Sequence, residues 1–123
     1  MQFTMSHKAA ENEKKGITEK ILIAANWYND EMCCHVHKAN NIETGFIVCG
    51  YRHHNCINTF AQMVGFPYSK RDRQLRNTEV QGFLTSLNRF VTRKEAFIIA
   101  KEANQIINLD KTRDNELYSE DLY

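Results

Sequence analysis

Two clusters of soft, titratable side chains offer the first candidates for chemistry. Cys33, Cys34, His35 and His37 form a Cys-Cys-His-x-His run, and His53, His54 and Cys56 form His-His-x-Cys. All seven are residue types that bind zinc. Their spacing argues against it, because structural zinc sites pair ligands as C-x₂₋₄-C or H-x₃₋₅-H and adjacent side chains do not easily converge on one ion. A cysteine near a histidine is also the minimum for nucleophilic hydrolysis. No G-x-S-x-G elbow, Walker loop, G-x-G-x-x-G turn or H-E-x-x-H pair is present, and no cysteine carries a family-specific catalytic frame. A small nucleotide or ADP-ribose hydrolase and a Cys/His zinc-binding interaction module stay open as alternatives, with no motif behind either.

Small-ligand binding is better supplied. Trp27 and Tyr28 end one apolar run, Arg52-His53-His54 follows another, and Phe83-Leu-Thr-Ser-Leu-Asn-Arg89 spans a strand and its turn. Aromatic faces stack nucleobases, arginine forks hold phosphate, and Asn, Thr and Ser bond base edges or ribose hydroxyls. Trp27 and Phe83 suit a plain core equally well, Phe90 reads as core, and the basic run from Lys70 to Arg76 reads as a solvated loop.

The elements that must position these residues follow from apolar periodicity. Residues 1–19 form a polar arm, and residues 20–123 a single ligand-binding domain. Ile21, Leu22, Ile23, Ala24 and Ala25 run unbroken into Asn26, Trp27 and Tyr28, a buried strand. A second strand is expected over residues 45–50. Asn55 then suits an N-cap, with Cys56, Ile57, Phe60, Ala61 and Val64 on one helical face and Gly65 as the stop. Residues 67–80 have no clear period and are expected to be a long loop. A short strand at residues 82–86 and a turn at residues 87–89 come next. Thr92-x-x-Glu95 is a capping box, opening a helix with Ala96, Phe97, Ile99, Ala100, Ala103 and Ile107 on its stripe. The ending ELYSEDLY is too apolar for a loose tail and is expected to dock. The fold class expected is α+β: a small antiparallel sheet, two amphipathic helices and a docked C-terminal tail.

The 123 residues, with 16 Lys plus Arg against 15 Asp plus Glu, fit one core of ordinary composition. A formal net charge of +1 supplies no field for duplex nucleic acid. No stretch reaches the roughly 20 apolar residues of a membrane span, and no secretory segment opens the chain, so a cytosolic protein is expected. The 4 cysteines are expected to be thiols, mostly buried.

Four blocks in order, KILIAANWY, IVCGYRHHNCI, QGFLTSLNRFVTRKEAFIIAKEANQI and ELYSEDLY, together resemble the phage Thoeris anti-defence proteins of the first type, a family of cyclic ADP-ribose sponges. The resemblance implies a non-catalytic protein without cofactors, at work in the host bacterial cytoplasm. It would capture TIR-derived glycocyclic ADP-ribose uncleaved and starve the Thoeris effector of its activator. It also implies a homodimer or a higher homo-oligomer such as a hexamer, and cyclic oligonucleotide binding at a separate site in some members. For that ligand the expected roles are stacking or pocket walls for Trp27, Tyr28 and Phe83, diphosphate contacts for Arg52, Arg89 and Arg113, and polar orientation by His53, Thr85, Asn88 and Asp114. Sequestration demands nanomolar dissociation, about −12 kcal/mol.

Overall fold

The computed structural model describes residues 18–35, 38–109 and 115–123. The first strand, β1 (Ile21–Tyr28), is the apolar run itself. It lies inside a four-stranded antiparallel sheet with β2 (Phe46–Gly50), β3 (Val80–Thr85) and β4 (Phe90–Thr92), in the order β2-β1-β3-β4. The register sets Asn26 opposite Val48 on one side and Gln81 on the other. Strand alternation then sends Ala24, Asn26 and Tyr28 to one face and Ala25 and Trp27 to the other.

The first face carries the larger core. Helix α1 (His53–Val64) lays Cys56 and Phe60 on it, and Phe60 stacks on Tyr28 with ring centroids 4.0 Å apart. Helix α3 (Arg93–Glu102) adds Ala96, Phe97, Ile99 and Ala100, and the tail adds Leu117. Among the described residues the second face is covered by loop: Ala39 and Ile42 pack on Ala25, Trp27 and Phe90. Two side-chain amides complete backbone ladders. Asn41 accepts from the Phe90 amide at 2.8 Å and donates to its carbonyl at 2.6 Å. Gln105 does the same for Ile21, at 2.8 Å each way.

The α+β architecture is as expected, and the Thr92–Glu95 capping box opens α3. Several local expectations are corrected. Residues 67–80 hold a helix, α2 (Lys70–Arg76), whose N-cap Ser69 accepts from the Asp72 amide at 3.1 Å. Its single apolar residue, Leu75, packs on the larger core, too little to make a visible period. Helix α1 starts three residues early, with Arg52 as its N-cap; Asn55 is its third residue and accepts from the Arg52 amide at 3.0 Å. The chain turns at Asn88, which has φ 56, and goes straight into β4, a strand the sequence reading did not separate from the turn. Helix α3 ends at Glu102, so Ile107 lies beyond it and is exposed. Cys33, Cys34 and Cys49 are exposed thiols, and of the four only Cys56 is buried.

Candidate functional site

The proposed ligand residues fall at separate places. Trp27 lies under the loop on the second face and donates from Nε1 to the Thr44 carbonyl at 2.9 Å. Tyr28 and Phe83 are fully buried on the helical face. Asn88 is exposed at its turn, within 3.4 Å of Asn40. Arg113 and Asp114 lie outside the described residues. Arg52, His53, Thr85 and Arg89 line neither of the two clefts described below.

Arg89 is 1% exposed and turned inward. Its Nε and Nη2 each donate to the Glu19 carboxylate at 2.7 Å, and Thr85 Oγ1 donates to the same carboxylate at 2.7 Å. Arg89 and Thr85, expected to meet a ligand, are thus bound to a residue the sequence reading left in the polar arm. A buried guanidinium needs such a fork, since desolvation of either charge alone costs several kcal/mol.

His53 is also turned inward. Its Nε2 donates to the Gly82 carbonyl at 2.8 Å, and its ring meets Phe83 edge-on. Burial lowers its pKa, so it is neutral at pH 7. From there a line of polar groups crosses the helical face. Arg93 Nη2 donates to Gln81 at 2.7 Å, Gln81 donates to Glu79 at 3.1 Å, and the Tyr28 hydroxyl donates to Glu79 at 2.6 Å. Arg76 pairs with Glu79 at 3.2 Å, and Asn26 Nδ2 reaches the same carboxylate at 3.3 Å. Burial, then the Glu79 carboxylate, pushes the Tyr28 phenol well above its ordinary value. The sequence reading missed Glu79, Gln81 and Arg93. The available signal was Asn26, an amide in the middle of a buried apolar strand that must find polar partners.

Arg52 is the proposed ligand residue that meets solvent beside open aromatic rings. Its guanidinium lies 4.7 Å from the exposed Tyr51 ring and 5.0 Å from that of Tyr123. It donates to Ser119 Oγ at 3.2 Å and to the Tyr123 carbonyl at 2.7 Å, with Glu120 at 3.9 Å. Arg93 repeats the pattern nearby: its guanidinium lies 4.4 Å over the Tyr118 ring and donates to the Leu117 carbonyl at 2.9 Å. Two arginines stacked on tyrosines are suited to an anion that carries an aromatic ring.

Two clefts open elsewhere. One, of about 410 Å³, runs between α2 and residues 29–31, with Phe46, Val64 and Leu75 in its walls. The other, of about 360 Å³, lies along α3 beside Lys94, Ile98 and Lys101. Among the described residues no three His, Cys, Asp or Glu side chains are grouped to hold a metal ion. His35 Nε2 is instead 2.8 Å from Asp30, and His37 lies outside the described residues.

The structure is a four-stranded α+β fold, and the comparison with protein families places the chain among phage proteins. A family model described as phage T4 y16D protein matches residues 20–123, and the chain belongs to that family. No curated protein and no solved structure gives a significant match. No helix among the described residues is long and apolar enough to cross a membrane.

Proposed function

We propose that this phage protein is a non-catalytic anti-defence sponge that captures a cyclic ADP-ribose signal, with glycocyclic ADP-ribose as the target class, in the host bacterial cytoplasm. The reading rests on the resemblance of four ordered blocks to the Thoeris anti-defence proteins, all within the span of the phage family. The structural observation that carries it is Arg52 stacked on the exposed ring of Tyr51 at the surface. Such a pair offers a fork for the diphosphate and a face for the adenine. The ligand's ring is already closed, so little of its freedom is lost on capture. Dimers or larger assemblies of the chain complete the reading.

The test is recovery. Cyclic ADP-ribose incubated with the protein is expected to return intact after heat denaturation, and calorimetry of Arg52→Gln to show affinity lowered by about 30-fold or more, the cost of truncating one partner of a desolvated charge pair. Disappearance of the ligand with turnover would establish a hydrolase instead. Stoichiometric zinc in metal analysis would favour an interaction module. Unchanged affinity in Arg52→Gln would remove the site from this face.

A further inference from the structure

The groups that meet Arg52 and Arg93 come largely from one segment, residues 117–123. Leu117 is fully buried, and its amide donates to the Arg93 carbonyl at 2.9 Å while Arg93 Nη1 donates back to the Leu117 carbonyl at 2.9 Å. That reciprocal pair anchors the segment. Beyond it, residues 118–123 bring to the two arginines what a nucleotide would bring. Tyr118 and Tyr123 supply aromatic faces, Ser119 and the Tyr123 carbonyl supply acceptor oxygens, and Glu120 supplies charge. The segment is also held by the Tyr123 hydroxyl, which donates to the Tyr51 carbonyl at 2.7 Å, by the Ile107 amide, which donates to the Asp121 carbonyl at 2.8 Å, and by burial of Ser119 and packing of Leu122 on the larger core.

We infer that residues 118–123 form a strap that occupies the arginine site as an internal stand-in for an anionic aromatic ligand, and that the strap lifts about Leu117 when that ligand binds. The inference rests on the proposed nucleotide reading of Arg52. Lifting exchanges the Ser119 hydroxyl at 3.2 Å, the Tyr123 main-chain oxygen at 2.7 Å and the Glu120 carboxylate at 3.9 Å for phosphate oxygens, which the planar guanidinium fork can hold bidentately. The strap also sets a selectivity threshold, because apparent affinity is reduced by the fraction of molecules in which the site is open. A ligand with only a ring or only a charge recovers too little of what the strap gives up.

Hydrogen exchange and calorimetry with two probes, pyrophosphate and cyclic ADP-ribose, test this on the full chain. Bound cyclic ADP-ribose is expected to speed exchange at the amides of Ile107, Asp121 and Leu122 while leaving that of Leu117 protected. Tyr123→Phe removes the hydroxyl bond to Tyr51 and is expected to bind cyclic ADP-ribose roughly two- to tenfold tighter than wild type. Binding with those amides unchanged or slowed, or with Tyr123→Phe no tighter, overturns the strap and leaves the nucleotide reading standing. Release of the strap by pyrophosphate alone, with no binding of cyclic ADP-ribose, supports the strap and overturns the nucleotide reading. Binding of neither probe to wild type or to Tyr123→Phe overturns both.

Discussion

Arg89 and Glu19 meet as a parallel fork in which both guanidinium donors lie 2.7 Å from the carboxylate, with side chains 1% and 2% exposed. Removing one partner leaves the other as a buried charge. Arg89→Ala is expected to lower unfolding free energy by about 3–5 kcal/mol in urea titrations, whereas the double replacement Arg89→Met with Glu19→Leu recovers most of that loss. A double variant as unstable as the single one would show that the fork contributes net stability beyond satisfying its own charges. Lost ligand binding in Arg89→Ala therefore reports unfolding before it reports a binding role.

Gly82 sits where β3 crosses β4. A Cβ there would overlap the Val91 carbonyl oxygen and come within 2.8 Å of the Phe90 ring. Both neighbours are fixed, one as backbone and the other in the smaller core, so neither gives way cheaply. Gly82→Ala is expected to destabilise by about 1–3 kcal/mol, the usual cost of overpacking, measured as a lower urea midpoint with unchanged slope. A midpoint equal to wild type would mean that the β3–β4 register differs from the pairing of Gly82 with Thr92.

His53 gives the fold an acid sensitivity. Burial lowers its pKa from the ordinary 6.5, so the folded state resists protonation where the unfolded chain accepts it. The unfolded state then binds more protons, and stability falls as the pH drops through about 6.5 toward the folded value, with a slope of at most about 1.4 kcal/mol per pH unit from this group. His53→Gln keeps a donor for the Gly82 carbonyl and is expected to flatten the stability profile between pH 7 and pH 5. An unaltered profile would assign the acid sensitivity to other groups.

The thiols are expected to separate by reactivity. Cys33 and Cys34 are exposed, whereas burial pushes the Cys56 thiol up to about 12 and desolvation raises that of Cys49. Thiolate is the reactive form. A colorimetric thiol assay at pH 8 is expected to find Cys33 and Cys34 fast, Cys49 slower, and Cys56 silent until denaturant is added. Rapid labelling of Cys56 in the native state would contradict its place on the buried face of α1.

What the sequence made legible follows from how local each signal was. The run from Ile21 to Tyr28 and the Thr92–Glu95 box announced β1 and α3 because propensity, pattern and caps agree within a few residues. Helix α2 was hidden because five of its seven residues are charged and its burial hangs on Leu75. The site residues were harder still. Arg89 and Arg52 are the same residue type, each a few residues past the end of a strand, and only the partner decides which faces inward. For Arg89 that partner is 70 residues away in sequence, and for Arg52 it is the tail, 67 to 71 residues away.

Asn41 and Gln105 have a consequence for how copies of this chain meet. Each primary amide carries the same donor and acceptor as a peptide group, and each satisfies both backbone groups of one residue: Phe90 on the outer edge of β4, and Ile21 where β1 runs past the end of its β2 pairing. An approaching strand would have to displace two good hydrogen bonds before gaining its own first pair. Exposed ladder edges are where chains template aggregation. In this fold two uncharged side chains act as plugs, so that crowded copies find no free backbone pair at Phe90 or Ile21 along which to zip together.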